Sequence, residues 1–202
     1  NLENFEADLQ LGSSRINGAE SNSTKVTGVI NVPLIASQLA LRVAAYRFDN
    51  SGHIDMVSAS DPAKAAAAAA FGAEVVDERG VGDAEYKGVR ASLLWKPTDK
   101  LSATIMVGTQ ELQQDGMPYI SLDQGGYNDI AFGFNGLFDD REGRSDEVDY
   151  TNLVVDFDIG WGNIVSVSTV SEGNIIRDMD IGRFTGLPGA IRNDIETKGF
   201  TQ

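Results

Sequence analysis

The feature that most constrains this chain is a strand whose two faces are both specified. Lys100 to Gln110 reads KLSATIMVGTQ, with Leu101, Ala103, Ile105 and Val107 on one side and Ser102, Thr104, Met106, Gly108 and Gln110 on the other. That period of two belongs to a β-strand lying between an apolar and a polar environment. Val148 to Ile159 repeats the device, with Thr151, Leu153, Val155, Phe157 and Ile159 opposing Tyr150, Asn152, Asp156 and Asp158. The second face is too polar for the inside of a two-sheet sandwich, where both inner faces meet in a core.

Carried along the chain, the same pattern predicts strands near residues 3–14, 23–33, 38–56, 85–96, 100–112, 148–159 and 163–173, with an eighth opening at about 197. The connections through 15–22, 34–37, 57–84, 97–99, 113–147, 160–162 and 174–196 alternate between long and short. In an up-and-down arrangement this puts every long loop at one end. Outer-membrane barrels pair short periplasmic turns with long extracellular loops in this way, whereas soluble sandwiches mix their connection lengths. The expected fold is therefore all-β: an antiparallel transmembrane β-barrel segment of about 7–8 strands, part of a larger barrel. Trp95, just before Lys96-Pro97-Thr98-Asp99, and Trp161, within Gly160-Trp161-Gly162-Asn163, both fall at the short-turn end. Indoles favour a bilayer interface, although two turn-flanking aromatics packing locally would look the same. In the strand near 38–56, Leu39, Leu41, Val43 and Ala45 share one face and Ala40, Arg42, Ala44 and Tyr46 the other, so Arg42 points away from lipid.

Composition removes several classes of function. There are 16 basic and 30 acidic residues, a net charge of -14, and no Lys/Arg-rich stretch, so a nucleic-acid partner is not expected. The absence of cysteine excludes disulfide scaffolds, thiolate metal sites and cysteine catalysis. The single histidine, His53, excludes a two-histidine zinc motif and reads as a strand-end residue. With 42% hydrophobic residues the chain is not a disordered acidic tail. No apolar run is long enough for a membrane-spanning helix.

Two connections carry a signal of their own. Glu111 to Asp149 holds ten acidic residues and two basic ones, a net of -8, together with Tyr119, Tyr127, Phe132, Phe134 and Phe138 among glycines. Such a loop could fold over a ligand or could be a solvated surface. Asp61-Pro62-Ala63-Lys64, six alanines and Phe71-Gly72 predict a short helix, with Asp61 as N-cap, Pro62 at the first helical position and Gly72 after the end. Catalytic signatures are lacking. Asp139/Asp140 and Asp178/Asp180 are pairs that so many carboxylates produce by chance. Asp178-Met179-Asp180-Ile181-Gly182 falls short of a calcium loop, and neither a metal nor a cofactor is expected.

Several segments resemble the opening barrel strands of TonB-dependent outer-membrane receptors. They are Thr27-Gly28-Val29-Ile30-Asn31-Val32-Pro33-Leu34, Leu39 to Tyr46, Ser51-Gly52-His53-Ile54-Asp55, Val89 to Asp99, Ile164 to Ser171 and Lys198-Gly199-Phe200-Thr201-Gln202. The resemblance spans nearly the whole chain in the family's order. It implies a barrel of about 22 strands around an N-terminal plug, of which this chain, opening on Asn1 rather than Met, is the plug-less N-terminal part of the barrel. It further implies a location in the bacterial cell outer membrane, contact with its lipid, coupling to the TonB complex through the plug, and active import of a scarce small-molecule nutrient such as a siderophore or saccharide.

Ligand contacts on the inner face or in the loops are expected at Arg42, Gln110, Gln114, Tyr119, Tyr127 and Asn152. The acidic loop would repel anions and so favours a neutral or cation-bearing ligand. Two other readings stay open: a soluble β-rich binding module whose aromatic loop recognises glycan, and a passive porin-like channel without a plug. An enzyme is not expected.

Overall fold

The computed structural model describes residues 1–71, 77–117, 119–120, 122, 128–129, 142–182 and 189–202. In chain order the elements are β1 (Glu6–Ser14), β2 (Ser23–Ile35), β3 (Leu39–Asn50), β4 (Ile54–Val57), α1 (Pro62–Phe71), β5 (Asp77–Val81), β6 (Ala84–Thr98), β7 (Leu101–Asp115), β8 (Asn128–Asp129), β9 (Gly143–Asp158), β10 (Asn163–Asp180) and β11 (Ala190–Thr201). Eight strands form one sheet in the order β1-β2-β3-β6-β7-β9-β10-β11, and a second sheet is ordered β5-β4-β8. Every neighbouring pair in the large sheet is antiparallel. The sheet is therefore a meander of mostly β structure with little helix. It is not closed, since β1 and β11 are its two edges.

The register explains why the alternating pattern persists across strands. Ala7, Ile30, Val43, Ala91, Val107, Thr151, Val170 and Phe200 lie side by side in one row. Val32, Leu41, Leu93, Ile105 and Leu153 form the next row on the same face. On the reverse face run Asn31, Arg42, Ser92, Met106, Asn152 and Thr169. Side chains alternate strictly along a strand, so a slip of one residue would exchange the two faces throughout.

Among the described residues, no second layer covers the apolar face. Ile30 is 39% exposed, Ile105 44%, Val107 47% and Leu153 41%. Among the described residues the buried apolar side chains are few: Ala19, Ala40, Ala68 and Ala84, with the larger Ile54, Met56 and Leu112 toward the long connections. The largest fully buried side chains are polar: Asn31, Asp180 and Ser58. Asn31 shows why burial is tolerable, because its Nδ2 donates to the carbonyls of Asn1 and Asn4 at 2.8 and 2.9 Å and so ties the N-terminal segment to β2.

Toward the long connections the apolar face becomes ionic. Arg47 meets Glu85 at 2.5 Å, and Lys87 meets Glu111 at 2.7 Å. At the opposite end the links between β2 and β3, β6 and β7, and β9 and β10 are short, and Trp95, Phe157 and Trp161 are exposed there.

Several boundaries differ from the sequence reading. The segment near 38–56 is two strands, because the chain breaks after Asn50 and β4 enters the small sheet. Gly52 sits at the break, where a Cβ would lie 1.9 Å from the Gly80 carbonyl oxygen. Only a residue without a side chain admits that approach. The connection 57–84 contains α1 and β5, and the last strand begins at Ala190 rather than near 197. β9 starts earlier and β10 ends later than the alternation suggested, since pairing continues where both faces are polar: Arg192 holds Asp178 across β10 and β11 through two contacts of 2.6 Å. The short helix forms with the N-cap expected for it. Ala63 and Lys64 donate their N–H groups to Asp61 Oδ1 at 2.9 and 3.0 Å.

Candidate functional site

The polar face of the large sheet holds a cavity of about 380 Å³ over β2, β3, β6, β7 and β9. Its floor follows from cross-strand pairing of tyrosine with glycine. Tyr46 is registered opposite Gly88, and Tyr150 opposite Gly108. A Cβ on Gly88 would lie 2.8 Å from Tyr46 Cε1, and one on Gly108 would lie 2.6 Å from both Cζ and Oη of Tyr150. Each ring thus occupies space that a side chain on its partner strand would fill. Because β6 and β7 are neighbours, the two tyrosines lean over them from opposite sides.

Phe48 extends this surface. Its ring centroid lies 5.1 Å from that of Tyr46, and Lys25 Nζ stands 5.2 Å from it in a cation–π arrangement. Thr27, Arg90 and Gln110 complete the polar lining. The arrangement combines aromatic rings with hydroxyl, amide and guanidinium donors, which suits an organic molecule having a flat apolar body and hydrogen-bond acceptors.

The residues expected from sequence are only partly brought together. Arg42, Gln110 and Asn152 share the polar face, and of these Gln110 lines the cavity. Arg42 and Asn152 lie in one row but are separated by Ser92 and Met106, roughly 14 Å across three strand spacings. Asn152 donates to Thr169 Oγ1 at 2.8 Å. Gln114 stands near the long connections, in a different cavity of about 770 Å³ beside Arg144 and Glu142. Tyr119 is exposed at 39%, and Tyr127 lies outside the described residues. Sequence reading passed over Tyr46, Phe48, Arg90 and Tyr150 as ligand contacts. Parity alone places them on the polar face, but their convergence depends on register.

Two acidic residues near the long connections, Asp178 and Asp180, are structural partners. Asp178 is 5% exposed and held by Arg192, while Asp180 is fully buried and accepts from the Gly182 N–H at 2.6 Å. Lys64 Nζ donates to the Gly182 carbonyl at 2.9 Å, docking α1 against the link after β10. Among the described residues, no group of three His, Asp or Glu side chains is arranged to hold a metal ion. Comparison with protein-family models, with curated proteins and with solved structures finds no match.

Proposed function

We propose that this chain is part of the wall of an outer-membrane transport receptor of the TonB-dependent kind, which binds a scarce small molecule and imports it with energy relayed through a plug. The carrying observation is the inverted burial: an uncovered apolar face on the large sheet, with polar residues as the largest fully buried side chains. In water such a face would need a second layer. In a bilayer, lipid supplies the cover.

The dimensions agree with that reading. The residues from Leu101 to Thr109 rise roughly 30 Å along β7, or roughly 20 Å across a bilayer at a strand tilt near 45°, close to the apolar band of about 25 Å in such barrels. Charged pairs begin at the next outward position, Glu111, and exposed tryptophans stand at the other end. The free edges of β1 and β11 find their hydrogen bonds in this reading from further strands of a larger barrel, because lipid offers none.

The test is fractionation of source cells followed by immunoblotting with an antibody to the β9–β10 hairpin. Recovery in the outer membrane, as a band several times larger than 21.6 kDa, is the expected result. A soluble band near that mass would overturn the proposal and leave a β-rich binding module in its place. A large membrane band without an upstream plug sequence would instead indicate a passive channel.

A further inference from the structure

The charges of β2, β3, β6 and β7 are sorted by face, while the polar face of the flanking strands carries Glu6 and Asp8 on β1 and Asp146, Asp156 and Asp158 on β9. On the polar face, β2, β3, β6 and β7 present no carboxylate from end to end, in a chain where acidic residues outnumber basic ones by 30 to 16. The same face of the same strands carries Lys25, Arg42 and Arg90 in three rows, and Lys96 at the short-turn end of β6, where it pairs with Asp99 at 3.7 Å. Arg42 and Arg90 are diagonal neighbours, about 7–8 Å apart along the sheet. Both are exposed, and among the described residues neither they nor Lys25 form an ion pair. On the opposite face, Arg47 and Lys87 of the same strands are matched by Asp49, Glu85 and Glu111.

We infer that the Tyr46–Tyr150 cavity beside Arg90 is a subsite for a small organic anion, a carboxylate or similar oxyanion on a flat apolar body. Arg90 offers the planar, multiply donating group suited to an oxyanion. Gln110 and Thr27 offer further donors, and the rings of Tyr46, Phe48 and Tyr150 receive the apolar body. The cavity's volume lies at the small end of the range of about 300–1,000 Å³ for organic ligands, so one ring and its substituents are the scale it selects. Along β2, β3, β6 and β7, where the cavity is centred, the charge is of one sign, which raises the local concentration of oppositely charged ligands. The acidic loop by itself favours neutral or cationic ligands, whereas the cations of these four strands favour an anion. The inference deepens the transport reading and rests on its premise that the polar face meets water.

The experiment compares benzoate, benzamide and benzylammonium, three probes of one shape and three charges, by saturation-transfer NMR on the full-length protein recovered from source cells. Benzoate is expected to bind at least about tenfold more tightly than either of the others, since one charge-assisted pair supplies a difference of that order. Arg90→Gln is expected to abolish the preference, and Arg47→Gln, on the opposite face, to preserve it. Equal binding of the three probes, tighter binding of benzylammonium, or a preference that survives Arg90→Gln would overturn the inference. Membrane recovery without the benzoate preference would sink the subsite alone. The preference in a soluble protein would sink the transport reading and leave the subsite standing.

Discussion

Replacing Ile105 with Arg separates a lipid-covered face from a water-covered one. Ile105 stands in the row Leu41, Leu93, Ile105 and Leu153, four residues from either Leu101 or Thr109, the ends of the apolar band on its strand. An Arg at the bilayer midplane of a β-barrel costs about 2–4 kcal/mol, which corresponds to a roughly 30- to 900-fold loss in the folding equilibrium. If water covered this face, a side chain already 44% exposed would accept Arg within about 0.5 kcal/mol. Thr104→Arg is the internal control, because Thr104 belongs to the polar face and its change is expected to stay within about 0.5 kcal/mol in a water-filled interior. The assay is urea unfolding of the full-length protein in lipid vesicles, comparing the two variants with the parent. Equal stability of the two variants would refute the assignment of faces, and a greater loss for Thr104→Arg would invert it.

Other consequences follow from the loop-side structure. Gly52→Ala is expected to cost several kcal/mol and to release β4 from β5, because its Cβ meets the Gly80 carbonyl rather than a movable side chain; hydrogen exchange across 54–57 and 77–81 reads the loss. Asp61→Ala is expected to cost about 1 kcal/mol, confined to α1, by removing the N-cap, and faster exchange at Ala63 and Lys64 would report it. Hydrogen bonds from the Ser60 hydroxyl and from the Ser60 and Ala59 amides hold the Asp77 carboxyl below its ordinary range. A depressed carboxyl stabilises above its unfolded value and loses that contribution as pH falls through its native one, so exchange at Ala59 and Ser60 should accelerate below about pH 4. Asp77→Asn should remove that pH dependence.

The large sheet was legible wherever its two faces differ. Between Leu101 and Gln110, apolar and polar residues alternate, and the strand boundaries there fall within a few residues of those observed. Legibility ends where both faces turn polar. Ile175 to Asp180 and Ala190 to Glu196 carry little contrast, yet their backbones pair continuously and Arg192 joins Asp178. Pairing needs only backbone groups, whereas pattern recognition needs unequal environments. The break after Asn50 escaped for a different reason, because the contact between Gly52 and Gly80 is set by the second sheet. α1 was readable because its start is encoded locally in Asp61 and Pro62. The cavity needed register as well as parity, since Tyr46 and Tyr150 find their glycines only after three strand pairs have been aligned.

The meander also bears on how such a sheet comes into being. No strand of the large sheet waits for a partner more distant than the next large-sheet strand in the chain. Three of the sheet's links are short, between β2 and β3, β6 and β7, and β9 and β10, and because closure entropy grows only slowly with loop length the longer ones add little to the cost of each step. Growth can proceed one hairpin at a time from any nucleus, each new hairpin finding a ready template in the edge before it. The same economy applies over evolutionary time: a hairpin gained or lost at an edge leaves every existing register intact, and the excursion between β3 and β6, which already houses a helix and two further strands, lengthens without rethreading the sheet.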